Sequence, residues 1–371
     1  MPGTAVLPAA RYPLLDVLKA LAAQFIVLHH FSVYGPVSQA LHAALPDVMG
    51  LLYEHGLIAV QVFFVIGGYL AARGLSASAD AWRAPGAAIF KRYARLLPPY
   101  LVALCVVMLC MAWLRPWLTA DLAAPAPNWG QWLAHMAMLQ GILGTESLSA
   151  GVWYVAMDFQ LFALLTLMLW LSGGGQRKRA KTAVAALCTV SLLVFNRYVE
   201  LDNWAVYFFG AYGLGALAWW ARRQPQSATP AAPASAYART LFALALAVGL
   251  LALAIDFRER IALAMGVALT LAGWGTASHQ QANQSKTQTT VHTLGVQSYA
   301  LFLMHFPVLL LTNAAFTWFG FTPETSSASV ALSWGIAGWA ASLWAANLFY
   351  RWVESPTAPW RRALRGVLGR R

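Results

Sequence analysis

Long apolar stretches recur along almost the whole of the 371-residue chain, and they constrain its fold more than any other feature. Most approach the roughly 20 residues that a helix needs to cross a bilayer. The sequence therefore predicts an all-α, polytopic transmembrane bundle. Ten stretches stand out, at residues 14–34, 51–72, 97–114, 152–171, 182–196, 204–221, 240–255, 261–276, 294–315 and 330–351.

The overall composition supports a membrane protein and argues against a soluble one. Hydrophobic residues make up 60% of the chain and charged residues only 10%, which is more apolar surface than a soluble domain can bury. The net charge of +12 alone would suit a nucleic-acid binder. The positions of the charges along the chain argue otherwise, so no nucleic-acid partner is expected.

The basic residues are distributed very unevenly between the two sides of the predicted membrane. If the ten spans alternate in direction, 21 of the 25 Lys and Arg residues lie on the N-terminal side. The four on the other side are Arg115, Arg197, Arg258 and Arg260. Because cytoplasmic loops are enriched in Lys and Arg, both termini are predicted to be cytoplasmic, facing anionic lipid.

The segment 129–143 and two loops fall outside the predicted spans. Residues 129–143 are too few and too amphipathic to cross the bilayer, so this segment either lies at the interface or re-enters the membrane. Residues 222–239 and 276–293 read as polar linkers. Most tryptophans, Trp153 among them, lie near span ends, as an interfacial belt would require.

The three cysteines all lie in apolar stretches and form no disulfide or metal-binding pattern. Cys105, Cys110 and Cys188 are therefore interpreted as packing residues, and no metal site is expected.

Two ionisable residues of the first span share a helix face. Lys19 and His30 are eleven residues apart, which is three turns plus about 20°, and about 16 Å along the axis. His29 points elsewhere. Ionisable groups at membrane depth are costly and are functional candidates by default. The alternative is that Lys19 extends to the interface and His30 is a satisfied buried histidine.

Asp158 and His305 are predicted at a similar depth in other spans. Together with His30 they suggest a cavity in which a carboxylate orients an imidazole that takes a proton from a hydroxyl. The alternative for each is an ordinary hydrogen bond within or between helices.

A basic pair precedes the third span. Arg92 and Arg95 are three residues apart, share a helix face and are suited to binding phosphates. The alternative is ordinary cytoplasmic charge or lipid contact.

Six ordered motifs resemble the acyltransferase-3 family of integral membrane acyltransferases. The matching segments are "RYPLLDVLKALAAQFIVLHHF", "VQVFFVIGGYLAAR", "KRYARLLPPY", "WYVAMDFQLFALL", "SYALFLMHFP" and "YRWVESP". The chain differs from the usual pattern at Lys19, Gly67, Asp158 and Phe162, where the family more often has Arg, Ser, Glu and Tyr.

The resemblance implies a reaction and assigns roles. It implies that an acyl group, expected to be acetyl, moves from cytoplasmic acyl-CoA to a hydroxyl of an extracytoplasmic acceptor, expected to be a cell-surface or lipid-linked saccharide. It points to His30 as the catalytic base, with Asp158 and His305 as further catalytic candidates. Lys19, Arg92 and Arg95 are the candidates for binding the donor. No permanently bound cofactor is expected, and direct transfer and a covalent acyl-histidine both remain open.

The resemblance also implies a domain organisation and a location. Residues 1–355 would form the acyltransferase membrane domain and residues 356–371 a short basic cytoplasmic tail, with no fused soluble domain. The location would be the bacterial inner membrane. Acceptor recognition would then fall to outer loops, where Trp117, Trp129 and Trp132 stack on sugars or anchor the lipid interface, or to a separate extracytoplasmic partner.

Two other functional classes compete with the enzyme. A proton-coupled transporter or flippase would use intramembrane His and Asp residues as a proton relay and would release no CoA. A non-catalytic membrane partner would tolerate replacement of His30.

Overall fold

The structure is a computed structural model, which describes residues 13–77, 80–123, 125–222, 236–274 and 286–355. The predicted tail, 356–371, and most of both predicted linkers lie outside these residues. The described residues form helices and connecting turns, without strands. The fifteen α-helices are α1 Pro13–Val33, α2 Gly35–Ala44, α3 Pro46–His55, α4 Val60–Ser76, α5 Asp80–Arg83, α6 Pro85–Leu114, α7 Trp129–Met136, α8 Val152–Leu171, α9 Lys178–Leu193, α10 Ala205–Ala221, α11 Ala236–Ile255, α12 Glu259–Trp274, α13 Lys286–Val296, α14 Ser298–Trp318 and α15 Ala328–Phe349.

Helices occupy all ten of the predicted spans. Among the described residues, seven helical segments are long and apolar enough to cross a membrane, and these contain α1, α4, α6, α8, α9, α11 and α14. The remaining predicted spans coincide with α10, α12 and α15. The helical membrane bundle is thus confirmed, whereas ten spans and cytoplasmic termini stay predictions.

The contact between α4 and α10 depends on two glycines. A Cβ at Gly68 would lie 1.9 Å from the carbonyl oxygen of Tyr212, and one at Gly215 would lie 1.9 Å from the carbonyl oxygen of Val65. Both distances are far below van der Waals contact, so the two backbones approach as only glycine permits. This close approach holds Asp158 and its neighbours beside the centre of the bundle, because α8 packs against both helices.

The segment around α7 enters the bundle and returns. Eight residues of helix span only about 12 Å, too little to cross a bilayer. The chain turns at Met138, which is fully buried and has a φ of 57°. The hydroxyl of Tyr93 donates to the Met136 carbonyl at 2.7 Å, and the amide of Gln160 donates to the Met138 carbonyl at 3.0 Å. The segment therefore packs between α6 and α8, while its place relative to the membrane, interfacial or re-entrant, stays a prediction.

The two ends of the bundle differ in their connections. At the end where α1 begins, here called the N-terminal face, Asp16 accepts a hydrogen bond from His292 of α13 at 2.7 Å. At the other end, the opposite face, α1 bends into α2 at Gly35, whose φ of 80° is unfavourable for other residues. The Gly35 amide donates to Asp121 at 3.2 Å.

Candidate functional site

The central feature of the site is a buried pair of histidines from two helices. His30 lies on the last turn of α1 and His305 in the middle part of α14, and they are 4% and 0% exposed. The Nδ1 atom of His30 lies 3.0 Å from the Nε2 atom of His305. The structure thus brings together two of the three side chains that the sequence proposed for catalysis.

Hydrogen bonding fixes which nitrogen of each ring carries the proton. His305 Nδ1 lies 3.1 Å from the Leu301 carbonyl oxygen, which only accepts, so Nδ1 is the protonated nitrogen. In the neutral ring, Nε2 of His305 is then an acceptor, and His30 Nδ1–H donates a hydrogen bond to it. The remaining lone pair of His30 is therefore on Nε2, where it is available to act as a base.

Aromatic rings surround the histidine pair. Tyr34 stacks on His30 with ring centroids 5.8 Å apart and planes 13° apart. Phe302 makes an edge contact with His305 at 6.0 Å. Sequence reasoning missed Tyr34, although it lies four residues after His30 and its side chain is therefore expected on the same helix face.

His29 is held away from the pair. Its Nδ1 donates to the Leu52 carbonyl oxygen at 2.9 Å, which fixes the ring against α3. A Cβ at Gly56 would lie 2.6 Å from the Cβ of His29, so this ring packs tightly beside the turn that precedes α4. The two adjacent histidines therefore have different environments, as their spacing on the helix predicts.

The third proposed side chain, Asp158, has a different partner from the one expected. Its carboxylate forms an ion pair with the guanidinium of Arg92 on α6, and Arg92 also lies over the ring of Phe162 at 5.2 Å. Within the described residues, Asp158 makes no hydrogen bond to either histidine. The expectation that Asp158 orients His30 is therefore wrong in this structure, since His305 occupies that position.

The reason lies in the direction in which α8 presents its side chains. Asp158 faces α6 and α4, and a Cβ at Gly67 would lie 2.9 Å from its Oδ1 atom. The start of α8 instead approaches the histidines through Gly151, whose Cβ position is 3.3 Å from His305 Cε1. Two turns of helix, about 10 Å, separate Gly151 from Asp158.

A cluster of tyrosines connects the ion pair with the histidine pair. The ring of Tyr154 lies 4.9 Å from that of Phe302, which contacts His305. Tyr154 and Tyr299 both lie within electrostatic range of Asp158 and Arg92. The hydroxyl of Tyr299 donates to the Leu96 carbonyl oxygen at 3.3 Å.

The remaining predicted cations lie toward the N-terminal face. Lys19 is half-buried and interacts electrostatically with Arg95 as well as with Asp16 and Glu354. Arg95 is exposed. Arg92 differs from the other two residues predicted to bind the acyl donor, because the carboxylate of Asp158 already neutralises its charge. Lys19 and Arg95 are therefore the cations of this set best placed for an anionic ligand.

A further buried histidine, His135, holds the segment around α7 in place, and no sequence pattern pointed to it. His135 Nδ1 donates to the Gln131 carbonyl oxygen at 2.8 Å, and its Nε2 accepts from the Leu148 amide at 3.1 Å. Burial lowers the pKa of His135 below its usual value. A neutral ring is required here, because a protonated Nε2 has no lone pair for Leu148.

Taken together, these features describe a helical membrane protein with a buried base near its centre and cations toward one face. Among the described residues, no group of three or more His, Cys, Asp or Glu side chains is placed to hold a metal ion.

Comparison with known proteins identifies the class. A family model described as an acyltransferase domain matches residues 12–351, and the chain therefore belongs to the acyltransferase 3 family. A curated protein of Caenorhabditis elegans, "Regulator of hypoxia-inducible factor 1", is 24% identical over 177 residues, covering 43% of this chain and 34% of that protein. The chain thus matches about a third of that relative's length. No solved structure matches the chain.

Proposed function

We propose that this membrane acyltransferase moves an acyl group, most simply acetyl, from cytoplasmic acyl-CoA to a hydroxyl of an extracytoplasmic acceptor, with His30 as the general base. Family membership supports acyl transfer. The observation that carries the proposal is the His30–His305 pair, because it leaves one basic nitrogen, His30 Nε2, inside the bundle. The acceptor class that we propose is a cell-surface or lipid-linked saccharide.

The donor would approach from the N-terminal face. Phosphates are too strongly hydrated to enter hydrocarbon, so the nucleotide part of CoA stays at the surface near Arg95 and Lys19. Its pantetheine arm then extends along the tyrosine cluster toward His30. In this scheme Arg92 is not a free phosphate ligand. Its ion pair with Asp158 instead holds α6 and α8 together beside the path of the pantetheine arm.

The chemical step follows from the tautomer. His30 Nε2 takes the proton of the acceptor hydroxyl as that oxygen attacks the thioester carbonyl carbon. The carbon–sulfur bond breaks, and the CoA thiolate receives the proton from His30 Nε2. His305 acts as a positioning residue, since its Nε2 accepts a hydrogen bond from His30 Nδ1 throughout and stabilises the transient imidazolium. Direct transfer requires no covalent enzyme intermediate.

The reaction is tested with purified protein in lipid nanodiscs, supplied with radiolabelled acetyl-CoA and envelope glycan acceptors. His30→Ala is expected to lose transfer by at least about 100-fold. His29→Gln, which replaces the neighbouring ring and can still donate to Leu52, is the matched control and should retain activity. Transfer that survives in His30→Ala but is lost in His29→Gln would overturn the assignment.

The acceptor is identified by mass spectrometry of envelope glycans from cells with and without the gene. The expected result is a glycan that loses one acyl mass when the gene is absent and regains it with the wild-type gene but not with His30→Ala. Thioester consumption separates the enzyme from a transporter, which would move its solute without releasing CoA. We further propose the bacterial inner membrane as its location.

A further inference from the structure

Two adjoining cavities lie beside α8 and have no part in the mechanism proposed above. The smaller, of about 180 Å³, lies between α8 and the residues that follow α7. The larger, of about 440 Å³, lies between the starts of α4, α8, α10 and α12. Trp153, Asp202 and Asn203 line both cavities, so the two share a wall.

Two side-chain oxygens in the lining of the smaller cavity are buried and receive no hydrogen bond from the described residues. Gln140 is 2% exposed, and its Oε1 has no hydrogen-bond partner among the described residues. Gln160 Oε1 likewise has no hydrogen-bond partner among the described residues. Buried side-chain oxygens are nearly always paired, so these two indicate a ligand that brings hydroxyl or amide donors.

The larger cavity adds charged groups and an aromatic face. Gln61, which is 5% exposed, lines it together with Glu54 and Asp202. Arg260 is held in place by the Asn196 carbonyl oxygen at 2.9 Å and by the ring of Tyr207 at 4.9 Å.

Trp153 stands at the junction of the two cavities. It was expected in an interfacial belt, but its ring packs against Phe208 with centroids 5.8 Å apart and is half-buried. An aromatic face among carboxylates and amides suits a polyhydroxylated ligand. The apolar C–H face of such a ligand packs on the Trp153 ring, while the ligand's hydroxyls donate to the carboxylate and amide oxygens that line the cavities.

The cavities and the histidine pair lie on different sides of the start of α8. Gly151 packs on His305, whereas Trp153 is two residues later and points about 200° away around the helix. Met157 and Gln160 follow Trp153 on the same face and also line the smaller cavity. A group bound there cannot itself touch His30, so it belongs to a ligand that extends beyond the reacting hydroxyl.

We propose that the two cavities form a distal subsite for a saccharide acceptor of more than one sugar unit. One unit binds at Trp153 and Asp202 while another presents its hydroxyl to His30. This inference rests on the proposed function, whose acceptor class it narrows from any saccharide to one of at least two sugar units.

The test measures oligosaccharide binding by calorimetry with the full chain in nanodiscs. The probes are glucose, the maltose-to-maltohexaose series and the chitooligosaccharides of the same lengths. Asp202→Asn and Gln61→Leu are expected to weaken binding of the longer probes roughly tenfold, since each removes one or two hydrogen bonds. Glu200→Gln is the matched control, because Glu200 is exposed, lies two residues away and lines neither cavity.

A second measurement follows acetyl transfer to the same probes. The KM for a long probe should rise in Asp202→Asn by more than the KM for glucose, and Glu200→Gln should match the wild type in both. Absence of binding by every probe, or equal binding by wild type and Asp202→Asn, would overturn the subsite. Failure of the proposed function has a different signature, in which probes bind normally but His30→Ala transfers as well as the wild type does.

Discussion

Arg92 and Asp158 form one ion pair between α6 and α8, although the sequence suggested separate roles for them, Arg92 in donor binding and Asp158 in catalysis. The side chain of Asp158 is 8% exposed and that of Arg92 is 28% exposed. Arg92 Nε has no hydrogen-bond partner among the described residues. The guanidinium therefore depends on this carboxylate for most of its compensation.

Replacing Asp158 by Ala is expected to destabilise the protein by about 3 kcal/mol, because it leaves the half-buried Arg92 charge without its partner. The measurement is thermal unfolding in detergent. Lys91→Ala removes an exposed neighbouring charge and should change stability by less than about 0.5 kcal/mol. Equal effects of the two substitutions would contradict the proposed dependence of Arg92 on Asp158.

Replacing His305 by Ala is expected to lower kcat about 100-fold while leaving the KM for acyl-CoA nearly unchanged. The acceptor of the His30 Nδ1 proton is lost, so His30 loses its fixed tautomer and orientation. His305→Gln should recover part of the loss, because a side-chain carbonyl oxygen can accept the same proton. Steady-state kinetics with both variants check this, and identical losses in the two would argue for a packing role alone.

Gly68→Ala is expected to prevent folding or to cost more than about 3 kcal/mol, because the new methyl group would meet the Tyr212 carbonyl oxygen at 1.9 Å. Gly74→Ala is the matched control on the same helix, since a Cβ there has no neighbour within 4 Å. Comparison of folded yield by size-exclusion chromatography checks the pair. Normal folding of Gly68→Ala would show that α4 and α10 can separate.

The segment around α7 is expected to loosen at acidic pH through His135. Because burial lowers the folded pKa of His135, its contribution to stability is present above its ordinary value near 6.5. That contribution is lost as the pH falls through the lowered pKa of His135 in the folded protein, because protonation of Nε2 removes the hydrogen bond from the Leu148 amide. Labelling of a cysteine introduced by Ser147→Cys should therefore accelerate as the pH falls below this ordinary value.

The control for this prediction carries His135→Phe together with Ser147→Cys. Its labelling should be faster than that of the single variant at neutral pH and should depend much less on acidification. If both proteins show the same pH profile, another group controls the segment.

The sequence by itself determined the class of the fold and singled out His30 as the main candidate for the catalytic base. Apolar length predicts helices because a bilayer requires about 20 residues per span, and a helix occupies each of the ten stretches. Helical periodicity also separated His30 from His29, since neighbours in a helix point about 100° apart. The ordered motifs identified the family that the comparison then established.

Only the tertiary structure decided which polar groups meet. His30 and His305 are 275 residues apart, and their contact depends on how α1 and α14 pack. The same is true of Arg92 with Asp158. It is also true of the turn at Met138, which is held by hydrogen bonds from Tyr93 to Met136 and from Gln160 to Met138. Local periodicity fixes the face on which a side chain lies. The partner on the facing helix is set by close packing between backbones, as at Gly68 and Gly215, which no single stretch of sequence encodes.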